Sequence, residues 1–141
     1  MTREPIYAAL FAKLSSVPGF VTVSRRLKHW DDVQQPAQPA LFQTQKRESV
    51  TTTPGMNPVW VFSVDIYIYA NNRGDKSVSP SIALNPLIDA IAAAIAPDAV
   101  SNKQTLGGLV QHAWIDGTIE TDEGVLGDQA VCIIPITIKV A

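Results

Sequence analysis

Alternation of apolar and polar side chains is the strongest signal in this chain. Between Val59 and Ala70, residues Trp60, Phe62, Val64, Ile66, Ile68 and Ala70 are uniformly apolar. The intervening Val59, Val61, Ser63, Asp65, Tyr67 and Tyr69 mix apolar, aromatic and charged groups. A period of two with one uniform face predicts a strand packed on a core through that face. Residues 129–140 repeat the pattern, with Ala130, Cys132, Ile134, Ile136, Ile138 and Val140 on the core side and Gln129, Thr137 and Lys139 turned away. FVTVSRRL at 20–27 and ALFQTQKRESV at 40–50 also read as strands, the latter turning polar at its far end. LVQHAWIDGTIE at 109–120 reads as a strand bent at Asp116-Gly117, followed by an acidic turn, TDEGVLGD.

Two segments have the helical period instead. Tyr7, Leu10, Phe11 and Leu14 form an apolar stripe, which predicts a helix over 4–16 with Pro5 in its first turn and Pro18-Gly19 beyond its end. In NPLIDAIAAAIAP, Leu87, Ile88, Ile91, Ala92 and Ile95 share one face. Asn85 reads as the N-cap, Pro86 as the first helical residue and Pro97 as the stop, giving a helix over 86–96. TTTPGMNP between the strands at 40–50 and 59–70 is turn chemistry, so the two should form an antiparallel hairpin with an extended tip. The order α, β, β, β, α, β, β implies an α+β fold. It should be a two-layer sandwich, with a mostly antiparallel sheet and two helices packed on one face.

Composition fits a single domain over 1–141. The chain is 46% hydrophobic and 17% charged, which suits a folded protein with a real core. No apolar run approaches the roughly 18–20 residues a membrane-spanning helix needs. The N-terminal apolar patch is broken by Arg3, Glu4 and Lys13, so it reads as an amphipathic helix and not a signal peptide. A single cysteine, Cys132, has no internal disulfide partner. The net charge of −2 argues against a general nucleic-acid binder. The charge is uneven, however. Residues 1–76 hold nine Lys/Arg and six Asp/Glu, against two and seven in residues 77–141, so the halves carry +3 and −5.

The residues point away from catalysis. There is no GxSxG, no glycine-rich phosphate loop and no HExxH. His29 and His112 lack metal-type spacing, and Cys132 lies on a core face. The acids Asp116, Glu120, Asp122, Glu123 and Asp128 do not follow the alternation of a calcium loop. We therefore expect no enzyme activity, no cofactor and no metal. Interaction surface is what remains. Val61, Ser63, Asp65, Tyr67 and Tyr69, on the mixed face of the long strand, are expected at a subunit interface. Thr52, Thr53, Pro54, Met56 and Asn57, at the hairpin tip, are expected to dock on a partner. Arg25, Arg26 and Lys28, close to Trp30, form a small basic group with the composition of a nucleic-acid contact. Pro135 within the last strand implies an edge or a bulge.

The run from NPLIDAIAAAIAP through QTLGGLV and WIDGTIE to the closing IPITIKV resembles the tail terminator proteins of long-tailed phages, also called tail completion or minor tail protein U-like proteins. The VDIYIYA strand, the N-terminal helix and the long hairpin fit the same layout. The resemblance covers most of residues 4–141 and rests on layout and local phrasing, so it transfers no site residue. It implies a virion protein made in the host cytoplasm. Such a protein forms a homohexameric ring that caps the tail tube, stops its elongation and offers the surface to which the head joins. Its partners would be other copies of itself, the tail tube protein and the head–tail connector. Arg25, Arg26 and Lys28 would face passing DNA if they lined the lumen. A connector or neck protein of the same virion, a small ligand-binding domain and a nucleic-acid-binding regulator are the competing readings.

Overall fold

The computed structural model describes residues 1–123 and 127–140. Among these residues the chain forms two helices and one six-stranded sheet, with both helices on one face. The elements are α1 (Arg3–Ser15), β1 (Thr22–Ser24), β2 (Ala40–Thr51), β3 (Val59–Asn71), α2 (Pro80–Ala94), β4 (His112–Ile115), β5 (Glu120–Glu123) and β6 (Gln129–Lys139). Strand order is β1-β2-β3-β6-β4, and β5 pairs with β6 alongside β4. This is the α+β sandwich expected. All pairings are antiparallel except β1 with β2.

The core lies between the helices and the uniform faces of β3 and β6. Phe62, Val64, Ile66, Ile68 and Ala70 of β3 and Ala130, Cys132, Ile134, Ile136 and Ile138 of β6 are all buried. Full burial of each large aliphatic side chain contributes on the order of 2 kcal/mol. From α1 come Ile6, Tyr7, Leu10 and Leu14, and from α2 come Leu84, Leu87 and Ile91. Phe11 and Ile88 are only half-buried, and Ala92 is exposed. Tyr7 is pinned twice. Its ring stacks on Phe62 at 5.2 Å, and its hydroxyl donates to Glu48 at 2.9 Å. Arg3 closes the cluster by donating to Glu48 at 2.7 Å while lying 5.0 Å over the Trp60 ring.

Three elements differ from the sequence reading. The helix expected at 86–96 begins six residues earlier, at Pro80, with Ser79 as its N-cap and Pro86 inside it. The reason is a cap supplied from afar. The Glu123 carboxylate accepts from the Ser79 hydroxyl and the Ser81 N–H, each at 2.8 Å, and so satisfies the positive end of the helix. These hydrogen bonds from Ser81 and Ser79 hold the Glu123 carboxyl below the usual carboxylate range. Pro86 is tolerated because it falls on the exposed stripe of the helix with Ile82, whose carbonyl loses only its usual donor four residues on and faces solvent.

The strand expected at 20–27 shrinks to three residues at the sheet edge. The strand expected at 109–120 is two strands, because the backbone breaks at Gly117, where φ is +112°. Part of the expected acidic turn is thus β5, and residues 124–126 of it lie outside the described residues. Pro135 sits opposite this break and not at an edge. Its carbonyl accepts from the Asp116 N–H at 3.1 Å, so its missing N–H also points towards the gap.

Candidate interaction surfaces

The face of the sheet away from the helices is only partly covered. Residues 28–39 cross one end of it through two short 3-10 turns, Trp30–Asp32 and Gln35–Ala37. Val33 packs there on Ala40, Phe42 and Tyr69, with Trp30, Ala37, Tyr67 and Val131 around them. Gln38 secures the crossing. Its amide donates to the Val33 carbonyl at 3.0 Å and to Gln129 at 2.6 Å, and its oxygen accepts from Asn71 at 2.9 Å. His29, one of the two histidines, caps the first turn by accepting from the Asp31 N–H.

This crossing changes the place of Tyr69. Expected on a free interface, it is 3% exposed and closed in by its own chain. Its hydroxyl donates to the Lys28 carbonyl at 2.6 Å, and its ring lies 5.4 Å from that of Phe42. Burial, helped by neighbouring Tyr67, pushes the phenol up to about 12. Sequence alternation marked Tyr69 as facing away from the helices, which is right, but could not say that residues 28–39 would cover it.

Val61, Ser63, Asp65 and Tyr67 remain half-buried on the open face. A groove of about 350 Å³ runs past Ser63 and Asp65, bounded by Lys46, Arg47, Asp116 and Glu120 with Ile133 and Pro135 among its lining. Lys46 is the extra residue at a bulge between Gln45 and Arg47, and it reaches Asp65 at 3.5 Å. A second hollow of about 570 Å³ continues from it over Trp30, Asp122 and Val131, sharing Glu120 and Ile133. Both are open and shallow, as suits a docking surface better than a small-molecule site.

The hairpin tip is exposed over Thr52–Asn57, with Met56 at 71%. It is built by a turn in which the Met56 N–H donates to the Thr53 carbonyl at 3.0 Å, with Gly55 at φ +79°. Proline and glycine at its centre match a type II turn. The basic group is divided. Arg25 pairs with Glu4 of α1 and reaches Gln45, while Arg26 and Lys28 are exposed. Thus the structure leaves two, not three, of these charges available.

His112 accepts from the Gln104 N–H at 3.0 Å and stacks on Trp114 at 4.9 Å. Cys132 is buried, which raises its thiol. Among the described residues no group of three or more His, Cys, Asp or Glu side chains is placed to hold a metal ion. Nor is any described helix long and apolar enough to cross a membrane.

No family model matches the chain, and no curated protein matches it. Among solved structures, a chain from the virion of the native gene transfer agent particle superposes on it with a TM-score of 0.57. The two chains share a fold. The superposition covers 96% of this chain and 93% of the other at 12% identity, so the likeness extends over nearly the whole of both chains, not one hairpin.

Proposed function

We propose that this chain is a structural, non-enzymatic protein of a phage-like virion. Within that class we read it as a tail terminator. Six copies form a ring on the end of the tail tube, stop its elongation and present the surface to which the head joins. The observation that carries the reading is the near-complete overlap in fold with a chain of a gene transfer agent virion. The exposed tip over Thr52–Asn57 and the open sheet face support it, because a ring component needs axial and lateral contacts at once. In this reading Thr52, Thr53, Pro54, Met56 and Asn57 meet the tube or the connector. Neighbouring copies close over Val61, Ser63, Asp65 and Tyr67. The protein is made in the host cytoplasm and ends in the neck of the particle.

Cryo-electron microscopy of the neck of intact particles tests this. A six-fold ring of this chain between the last tube ring and the connector is the expected result. Density on the head side would make the chain a connector protein of the same virion. Its absence from the particle would overturn the proposal.

A further inference from the structure

The hairpin of β2 and β3 outruns the rest of the sheet. β1 pairs with β2 only over Ala40–Phe42, and β6 ends opposite Val61 at Lys139. Past those points, among the described residues, Val50 pairs only with Trp60 and Thr51 only with Val59. Residues 49–60 therefore form a two-stranded arm that carries the tip. Ser49, Val50 and Thr51 are exposed, and so is every residue from Thr52 to Pro58. A lone two-stranded ribbon is marginal in water, so its base has to be held.

That base is gripped on both faces. On the helix side Glu48 and Phe62 face each other in register, immediately before the arm. Tyr7 of α1 touches both. Its ring stacks on Phe62 with the planes 14° apart, and its hydroxyl donates to Glu48. Arg3 spans the next rung, donating to Glu48 while lying over Trp60, the partner of Val50. On the open face Lys46, the extra residue of the bulge, reaches Asp65, and the Thr44 hydroxyl donates to the Asp65 carbonyl at 2.9 Å. A bulge bends its strand and increases the local twist, so the direction of the arm is set between Gln45 and Arg47.

We infer that the Arg3–Tyr7–Glu48 cluster is a latch by which α1 fixes the angle of the arm against the sheet. Glu48 is the joint. It lies on the strand that bends, just past the bulge, and both of its carboxylate oxygens are taken, Oε1 by Tyr7 and Oε2 by Arg3. Two donors from one helix on one carboxylate fix a direction as well as a distance. Tyr7 is itself 1% exposed and seated in the core, so the latch is anchored in a part of the chain that opens least readily. An arm held at one angle in advance loses little freedom when it docks, whatever it docks on. The latch lies within one chain and stands or falls independently of the ring reading above.

Distance measurement between paired spin labels tests the latch in the full chain. Met56→Cys at the exposed tip and Asp89→Cys on the exposed side of α2 carry the labels, in a Cys132→Ala background. This parent should give one narrow distance distribution. Adding Glu48→Ala should roughly double its width, because a joint without its two donors samples several angles. Arg3→Met keeps an apolar stem over Trp60 but cannot donate, and should widen the distribution by a smaller amount. Gln38→Ala is the control. It breaks three hydrogen bonds beyond the other end of β2 and should leave the width unchanged. Circular dichroism shows which variants are folded.

A broad distribution in the labelled parent overturns the latch. So does an unchanged width in Glu48→Ala. Equal widening in Gln38→Ala overturns it too, because the arm would then report overall stability and not the grip of α1. If Glu48→Ala does not fold, Arg3→Met decides in the same way, with an unchanged width counting against the latch.

Discussion

Replacing Gly117 with alanine should destabilise the protein by about 2 kcal/mol. Gly117 has φ +112°, well past the left-handed well near +57° that an L residue tolerates. Holding a non-glycine residue in such a region costs roughly 1–3 kcal/mol. The new Cβ would lie 3.4 Å from Pro135 Cγ and 3.8 Å from its Cβ, close to ordinary contact, so the cost comes from the backbone and not from a clash. Alanine also restricts the unfolded chain, which returns about 0.4–1 kcal/mol. Taking the upper part of the strain range leaves about 2 kcal/mol. At about 2.1 cal/mol/K of unfolding entropy per residue, the 141-residue chain should lose roughly 7 °C in Tm. Gly55→Ala is the control. At φ +79°, nearer the left-handed well and with no atom within 4 Å of the new Cβ, it should cost about 1 kcal/mol and lower Tm by roughly 3 °C, about half the Gly117→Ala effect. Calorimetry of both variants reads the difference. A Gly117→Ala protein within about 2 °C of wild type would refute the argument, because the break between β4 and β5 would then not depend on that backbone angle.

Tyr69→Phe removes the 2.6 Å hydrogen bond to the Lys28 carbonyl and should cost about 1 kcal/mol by chemical denaturation. It should also flatten alkaline stability. The Tyr69 phenol is raised to about 12, so its contribution is complete below the unfolded value near 10 and is lost as pH climbs from 10 to 12. That loss is on the order of 2 kcal/mol in wild type and absent in the variant. Glu48 behaves in the opposite sense. Burial opposes its charge, but hydrogen bonds from Arg3 and Tyr7 outweigh burial and hold the carboxyl below its usual range. Its contribution is present above the unfolded value and lost as pH falls, so Glu48→Gln should cost about 1 kcal/mol at neutral pH and reduce the acid slope of a pH titration of Tm. Cys132, buried with its thiol raised, should react with a thiol-specific disulfide reagent only as fast as the chain opens. Rapid labelling of the native protein would contradict its placement on the core face of β6.

Much of the fold could be read before the structure because its main strands are one-sided. The period of two in β3 and β6 places Phe62 to Ala70 and Ala130 to Ile138 on the core side, and each of these alternate residues is buried there. What was hidden depends on partners distant in sequence. Asn85-Pro86 is a strong local start signal, but Glu123 caps the helix at Ser79, and Leu84 and Leu87 are held on the core. Local propensity yields to such tertiary contacts. β5, with the sequence ETDE, has no apolar alternation at all, and its strand conformation comes from pairing with β6. Of the surface residues, the exposed tip at Thr52–Asn57 follows directly from its turn chemistry. Tyr69 and Arg25 look free in sequence, and each is taken up by a contact within the chain: Tyr69 with Lys28, Arg25 with Glu4.

These two losses sharpen the picture of the surface. A side chain that looks available in sequence remains so only if no other part of the chain reaches it. In the segment that follows β1 that rule removes Arg25 and keeps Arg26 and Lys28. At the β5 edge it removes Glu123 and keeps Glu120 and Asp122. The charges removed are Arg25, tied to α1, and Glu123, tied to the start of α2. Along β5 the alternation of side chains decides the outcome: Glu123 pairs opposite buried Ala130 on the helix side, while Glu120 and Asp122 pair opposite Ile133 and Val131 on the other face and stay exposed. A four-residue strand carrying exposed carboxylates is also a poor template for indiscriminate pairing, which is how short charged edge strands avoid association.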